Sequence, residues 1–509
     1  MLPGSTFGHL IPFFQLSVAL AKAGIHVSSV QTPRNIQRLP KLPPNLATLI
    51  NMVEFPLPSL GNDLLPEGAE ATIDVPLEKA EYLRVAYDRL QYPISQFIAE
   101  QLPDWIIIDF TAHWAVEIAQ NYNIGLVYFS VFFAATAIFF GQPPDYYFVG
   151  EHRKKAWPSP ESMTEPPKWV SFPSSIAYRG YEAIGSHRIY AENASGISDA
   201  ARLTEVLRAC KALAIRSCRE FEGEYLSLHE KLMGKPVIPV GLLPQDRHGV
   251  IGSDSSWKMI FEWLDKQEPK SVLFVGFGSE CQLSKEHVYE IAYGLQLSQV
   301  PFFWTLRKPF WAIDDADSLA LGFIDTTSGK GMVCISWVPQ MEILAHPSIG
   351  GSLFHSGWGS AIEMLQFGHY LVVLPLIYDQ PLNARLFMEK GLAVEVERGK
   401  DGSFSRDGIA KAVRLVMVSK EGDKFKARVR EAAAIFGDEN LHQMCYIGHF
   451  VEYLKHGMEE DFALQISLLH WVKHELHCHH RWNIYIITLT SIIMYMDVFY
   501  SIFKGSNVK

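Results

Sequence analysis

With 509 residues, 48% of them hydrophobic and 20% charged, the chain has the composition of a globular protein and the length of two domains of about 200 residues each. A net charge of −10 with no basic, aromatic-interleaved stretch speaks against nucleic acid as a partner. The six cysteines, Cys210, Cys218, Cys281, Cys334, Cys445 and Cys478, lack framework spacing and read as reduced thiols of a cytoplasmic protein. No basic segment followed by an apolar core opens the chain, so a secretory leader is not expected. The sequon Asn193-Ala194-Ser195 has no consequence in that compartment.

In chain order, residues 1–31 give a glycine-containing turn, a helix whose apolar face includes Phe13, Leu16 and Leu20, a stop at Gly24 and a strand from Ile25. LPDWIIIDFTAHW supplies a fully buried strand, Trp105 to Ile108, with Asp109 at its carboxyl end, where open α/β sheets collect functional groups. Read alone, Asp109 either caps the next helix or serves chemistry. Another strand runs from Ile124 to Ser130, ahead of the aromatic run Val131-Phe132-Phe133. The prolines, charges and aromatics of residues 142–176 read as a long loop over a cleft. A helical run from Asp199 to Ala214 leads to a strand near Pro236 to Val240, and GLLPQDRHGVIGSDSS reads as an interdomain linker. Beyond it come the strand and turn of SVLFVGFGSE and a buried strand within Pro301 to Arg307. The alternation of strand and helix in both halves predicts two parallel α/β domains.

The stretch from Trp337 to Gln380 carries the most information. Apolar strand-like runs, Gly351 to Phe354 and Leu371 to Leu374, flank a helix opened by the glycine-rich turn HSGWGSAIE, which puts backbone N–H groups at a helix N-terminus, an anion-binding device. Ser360 is expected to be the N-cap and Glu363 the acid of a capping box.

These 44 residues resemble the signature of plant UDP-dependent glycosyltransferases, with Trp337, Pro339, Gln340, Ala345 to Pro347, His355, Gly357, Trp358, Ser360, Glu363, Pro375, Asp379 and Gln380 in register. The resemblance implies the GT-B architecture, two Rossmann-like doubly wound domains facing across a cleft. It also implies inverting, metal-independent hexose transfer from UDP-glucose or UDP-rhamnose, with no cofactor beyond that co-substrate. By resemblance Trp337 stacks on the uracil, Val338 and Gln340 lie beside the nucleoside, and Glu363 accepts from the ribose hydroxyls. His355, Ser360 and, across the cleft, Gly278 and Ser279 meet the diphosphate; Trp358, Asp379 and Gln380 meet the sugar. Where most of the family has Cys and Asn, this chain has Ser356 and Gly359. Losing the Asn removes a side-chain donor for the phosphates, although the Gly359 N–H stays free to approach.

In FGHLIP, His9 matches the family's general base, and Asp109 matches the acid that orients it. That match decides Asp109's role in favour of chemistry; His113 is expected to be a pocket or structural residue, and Ser130 is carried over as a contact to the donor sugar. In the family an apolar strand precedes the first turn. Only its last residues correspond to Met1-Leu2-Pro3, so the first strand is expected to be missing, through truncation or in a defective product. The domains implied are residues 1–235 for the acceptor, 236–256 as linker, 257–440 for the UDP-sugar and a helix over 441–457. Residues 458–509 match nothing in the family. Their histidine-rich part (His470, His474, His477, Cys478, His479, His480) lacks metal-ligand spacing. The apolar run from Trp482 to Met496 is shorter than the roughly 20 residues of a membrane span. The tail reads as a read-through or mis-spliced extension, and neither metal nor membrane contact is expected of it.

FGHLIPFFQLS, NIQRLPKLP, FHSGWGS and LIYDQPLNAR look most like the branch that extends existing glycosides. A lipophilic saponin, flavonoid or terpenoid glycoside is therefore the expected acceptor. The alternative is a catalytically impaired relative that only binds UDP-sugar.

Overall fold

The computed structural model describes residues 1–61, 63–141, 157–245, 257–335 and 337–457; the segments outside these include the tail from residue 458 and the first part, 142–156, of the expected cleft loop. Met1–Val451 forms one compact unit, and a second, Glu452–Lys509, is described only as far as residue 457.

The first half of the large unit carries strands β1 (Val27–Gln31), β2 (Ile50–Glu54), β3 (Trp105–Ile108), β4 (Gly125–Ser130), β5 (Ala212–Ile215) and β6 (Val237–Pro239). β1 pairs with β2, and β3 to β6 pair in sequence, all parallel. Met1 and Leu2 join the two ladders. Val30 N donates to Met1 O at 3.1 Å, Leu2 N donates to Ile107 O and Asp109 N to Leu2 O, both at 2.9 Å. Chain order therefore turns outward in both directions from this dipeptide, and the loops following Leu2 and β3 meet at the switch point, where parallel sheets bind ligands. Helix α1 (Phe7–Lys22) follows the first of these loops.

The second half carries β7 (Val272–Gly276), β8 (Phe302–Thr305), β9 (Gly331–Cys334), β10 (Ile349–Phe354), β11 (Tyr370–Val373) and β12 (Ala393–Glu395), in the order β12-β11-β10-β7-β8-β9. β7 and β10 are neighbours here, so this sheet's switch point lies between the turn after Gly276 and the HSGWGS turn. β4, β5, β7 and β10 are buried along their whole length, as strands of parallel sheets covered on both faces are.

Three expectations are corrected. The helical run over Asp199–Ala214 is a helix, Asp199–Ala209, followed by β5: Cys210 turns extended (φ −64°, ψ 142°), and the apolar tetrapeptide Ala212–Ile215 is buried between β4 and β6. Four apolar residues do not distinguish strand from buried helix by periodicity. The linker from 236 begins too early, since Val237–Pro239 is the last strand of the first sheet. Finally, the helix of the signature, α5 (Trp358–Leu365), starts before Ser360. Gly357 is extended and takes the N-cap position, no side chain caps it, and the Ser360–Glu363 capping box does not form. Strands β2 and β9 carried no sequence signal strong enough to predict them.

The halves meet on an aromatic seam. The Trp358 indole is buried against Phe133, which precedes α2 (Ala134–Phe140), Phe221 of α3 (Arg219–Met233), and Phe387 of α6 (Gln380–Glu389), with ring centroids 5.4, 5.9 and 6.2 Å away. Its Nε1 donates to Arg216 O at 2.9 Å. Glu222, where α3 kinks, accepts from Ala134 N and Ala135 N at 3.0 and 2.9 Å and so caps α2. Buried Glu182 and Glu395 are shared by Arg179 and Arg385 across the same seam. The π-helical segment Leu441–Ile447 returns to the first half, where Tyr446 Oη donates to Glu220 at 2.6 Å and Gln443 donates to Ala19 O at 2.9 Å.

Among the described residues no helix is long and apolar enough to cross a membrane, and no group of His, Cys, Asp and Glu could hold a metal. The expectations for residues 458–509 lie outside the described residues. Replacing Trp358 with Ala should destabilise the protein by about 3–5 kcal/mol, the usual cost of truncating a buried aromatic. Chemical denaturation followed by tryptophan fluorescence measures it; a loss below about 1 kcal/mol contradicts a seam held by this indole.

Candidate active site

The first-half switch point brings His9 to Asp109. His9 Nδ1 lies 2.5 Å from Asp109 Oδ2, with the His9 side chain 14% exposed and that of Asp109 1%. Asp109 Oδ1 accepts from Thr111 N at 2.9 Å. Capping and orienting, which the sequence left as alternatives, are thus both performed by one carboxylate through different oxygens. The His9 ring is fixed edge-on by Phe110 and Phe132, centroids 5.9 and 5.5 Å away. Gly4 matters here because a Cβ would stand 2.9 Å from Thr111 Oγ1 and 3.2 Å from Asp109 Oδ1.

Burial opposes charge on His9, but the Asp109 carboxylate and its hydrogen bond outweigh it and raise the pKa above the ordinary 6.5. Burial likewise opposes charge on Asp109, and the His9 ring with the Thr111 N–H lowers its pKa. Asp109 on Nδ1 holds the tautomer with the lone pair on Nε2, the form that accepts a proton. His113 stands apart, bonded to Glu205 at 2.9 Å. Ser130 is buried at the end of β4.

Opposite lies the second switch point. Trp358, Gly359 and Ser360 are the first three residues of α5, so their N–H groups have no acceptor within the helix. His355 follows β10, buried between two glycines: a Cβ at Gly357 would stand 2.4 Å from its Nε2, and one at Gly278 2.8 Å from its Cε1. Gly278 also has φ +68°. Burial lowers the His355 pKa to about 4, against a hydrogen bond with the Gly276 backbone, so the ring is neutral, and among the described residues Nδ1 has no hydrogen-bond partner. Ser279 O accepts from Arg307. Ser356 sits at φ +61°, its hydroxyl donating to His355 O and Gln380 O at 2.5 and 2.8 Å.

Trp337 is 76% exposed, with one neighbouring ring, Trp257, at 5.5 Å, so an indole face is open to a flat base. Gln340 Nε2 donates to Glu363 Oε2 at 2.7 Å, leaving that carboxylate acceptor capacity for a diol. Burial raises the Glu363 pKa, against the Gln340 hydrogen bond and the Arg216 charge. Asp379 accepts from Asn383 at 2.8 Å; burial raises its pKa, against that hydrogen bond and the more distant His9 charge.

Three of the expected contact residues have their side chains engaged within the protein. The side chains of Trp358 and Val338 pack into the core, leaving only their backbones for a ligand. Gln380 is buried, its Oε1 accepting from Leu376 N and Ile377 N at 3.0 Å each and its amide beside Cys281, so it also braces its own turn.

Sequence reasoning missed Glu280, Arg307 and Arg84. Glu280 accepts from Phe7 N at the start of α1 at 3.2 Å and from Thr72 Oγ1 at 2.6 Å, and Arg307 donates to Ile73 O at 2.6 Å; both tie the turn after β7 to the first half. Arg84 is held by Asp199 through two bonds of 2.5 and 2.7 Å, within electrostatic reach of His9, Asp109 and Tyr378. The glutamate in FGSE was a usable signal, being a charge at the end of an apolar strand.

A proton acceptor on one wall of a cleft and unpaired backbone N–H groups on the other suit group transfer from a phosphorylated donor. The profile of the UDP-glucoronosyl and UDP-glucosyl transferase family matches residues 253–459. The chain is 40% identical over 458 residues to UDP-glycosyltransferase 91C1 of Arabidopsis thaliana, covering 89% of this chain and 96% of that one. It is 38% identical over 460 residues to soyasaponin III rhamnosyltransferase of Glycine max, covering 89% and 94%. The solved structure of UGT73P12 of Glycyrrhiza uralensis has the same fold, with a TM-score of 0.71 at 21% identity over 94% of this chain and 99% of that one. The chain belongs to the plant UDP-glycosyltransferase family, with the GT-B fold. It is an enzyme that transfers sugar from a UDP-sugar to plant secondary metabolites.

Because neutral His9 is the form that accepts a proton, activity should fall as pH drops through its raised pKa, giving an acid limb above 6.5. Asp109→Asn should lower kcat at least about 100-fold and move that limb downward. A pH profile of kcat/KM checks both; an unmoved limb removes Asp109 from the role. Gly357→Ala should displace His355 and weaken UDP binding without altering the acid limb, as calorimetry and the same profile would register.

Proposed function

We propose that the protein is an inverting transferase that moves glucose or rhamnose from its UDP-sugar to a sugar hydroxyl of an existing saponin, flavonoid or terpenoid glycoside. The observation that carries this reading is the His9–Asp109 pair, 2.5 Å apart. His9 Nε2 takes the proton of the acceptor hydroxyl while Asp109 stabilises the imidazolium. The acceptor oxygen bonds to the anomeric carbon, and the bond from that carbon to the β-phosphate oxygen breaks with its electron pair leaving on UDP. Attack from the face opposite UDP inverts the centre. Charge growing on the diphosphate is offset by the N-terminus of α5, the neutral His355 N–H and the turn at Gly278 and Ser279. Trp337 takes the uracil face, Gln340 and the Val338 backbone flank the nucleoside, Glu363 takes the ribose diol, and Asp379 with the Trp358 backbone takes the sugar hydroxyls.

Glycosides as acceptors are supported by the 38% identity to a protein named soyasaponin III rhamnosyltransferase. We assign the protein to the cytosol because the cysteines among the described residues are free thiols. The test is UDP release by the full chain from UDP-glucose and UDP-rhamnose, with glycosides beside their aglycones and with His9→Ala as control. The expected outcome is glycoside-dependent release, reduced about 100-fold or more in the variant, and a product whose anomeric configuration is opposite to that of the donor. Activity on aglycones alone overturns the glycoside assignment. Binding of UDP with no release for any acceptor favours the impaired, binding-only relative.

A further inference from the structure

Arg216 follows β5 and is 2% exposed, so its guanidinium needs partners. Nε donates to Leu242 O at 2.9 Å, and Nη2 donates to Gln15 Oε1 at 2.8 Å and Leu243 O at 3.4 Å. All three acceptors are neutral. Nη1 has no hydrogen bond among the described residues, and it lies 3.7 Å from where a Cβ on Gly359 would stand. The Arg216 carbonyl meanwhile accepts the Trp358 indole N–H, which fixes this residue against the first turn of α5.

A buried cation is thus aimed at the positive end of a helix dipole whose first N–H groups are unpaired. Without an anion that arrangement is repulsive. Glu363 acts on Arg216 through space, but Gln340 already donates to its Oε2 at 2.7 Å and Gln245 approaches Oε1 at 3.5 Å. Burial lowers the Arg216 pKa only to about 10, so the group stays charged at neutral pH. Gly359 leaves the space beside Nη1 empty, where a longer side chain would compete with the guanidinium.

We propose that Arg216 binds the diphosphate of the sugar donor through Nη1, so that the acceptor-side half supplies the phosphate contact that Gly359 cannot supply from α5. This rests on the reading of α5 as the diphosphate site. The anion then bridges the two halves at the seam, and donor binding draws them together.

The test compares binding of UDP and of uridine, by calorimetry and competition, to the full-length wild type, Arg216→Met, Arg216→Lys and Arg216→Met/Gly359→Asn. Arg216→Met should weaken UDP roughly 10- to 100-fold, the range for losing a charge-assisted hydrogen bond, and leave uridine unchanged. Restoring an amide at 359 should recover part of the UDP affinity. A residue that only braces the Leu242–Leu243 turn would lower both ligands equally, and that result, or unchanged UDP binding, overturns the proposal. Should Arg216→Met not fold, Arg216→Lys keeps the charge but not the fork, and should still lower UDP selectively. A wild type that binds uridine as well as UDP would instead overturn the reading of α5 itself.

Discussion

Everything in the cleft depends on one buried carboxylate. Asp109 is removed from water at the carboxyl end of β3, a cost of several kcal/mol unless each oxygen is engaged. The Thr111 N–H takes one oxygen and the His9 ring the other. For His9 to arrive there, α1 must begin close to the end of β3. Leu2 achieves this by pairing with β3, Gly4 by having no Cβ to strike the carboxylate, and Glu280 by accepting from the first N–H of α1. The base is therefore set by three chain segments, one of them in the other half of the molecule.

The second half solves a different problem, opening backbone N–H groups at the start of a helix. Parallel pairing of β7 with β10 delivers two turns side by side, and only glycine at 278 and 357 lets them close on the His355 ring. The ring then stays uncharged, and α5 begins at Trp358, leaving three N–H groups open. Starting α5 earlier than Ser360 leaves more backbone donors open than a capped helix would allow, because a capping side chain would have consumed one of them.

The seam makes the two solutions interdependent. Trp358 opens the anion-binding helix, yet its indole is packed among rings from both halves and bonded to the Arg216 carbonyl. Displacement of the halves along the seam would expose these rings and break the Arg179–Glu395 and Arg385–Glu182 pairs, so the relative placement of base and donor site is itself stabilised by burial.

The signature was legible because its spacing is local, whereas His9 and Asp109 were singled out by their match to the family's pair, and the structure brings the two side chains to 2.5 Å. The sequence by itself determined the parallel α/β class, the strands flanking the signature and the residue types of the cleft, since periodicity and turn chemistry are properties of consecutive residues. It misread Ala212–Ile215, where four apolar residues serve helix and strand alike, and it carried no sign that the Trp358 ring packs into the seam or that Gln380 is buried beside Cys281. Only the tertiary structure decided these orientations, together with the partners of Arg216, Glu280 and Arg84. Which way a side chain turns depends on packing against residues hundreds of positions away, and no local pattern records those neighbours.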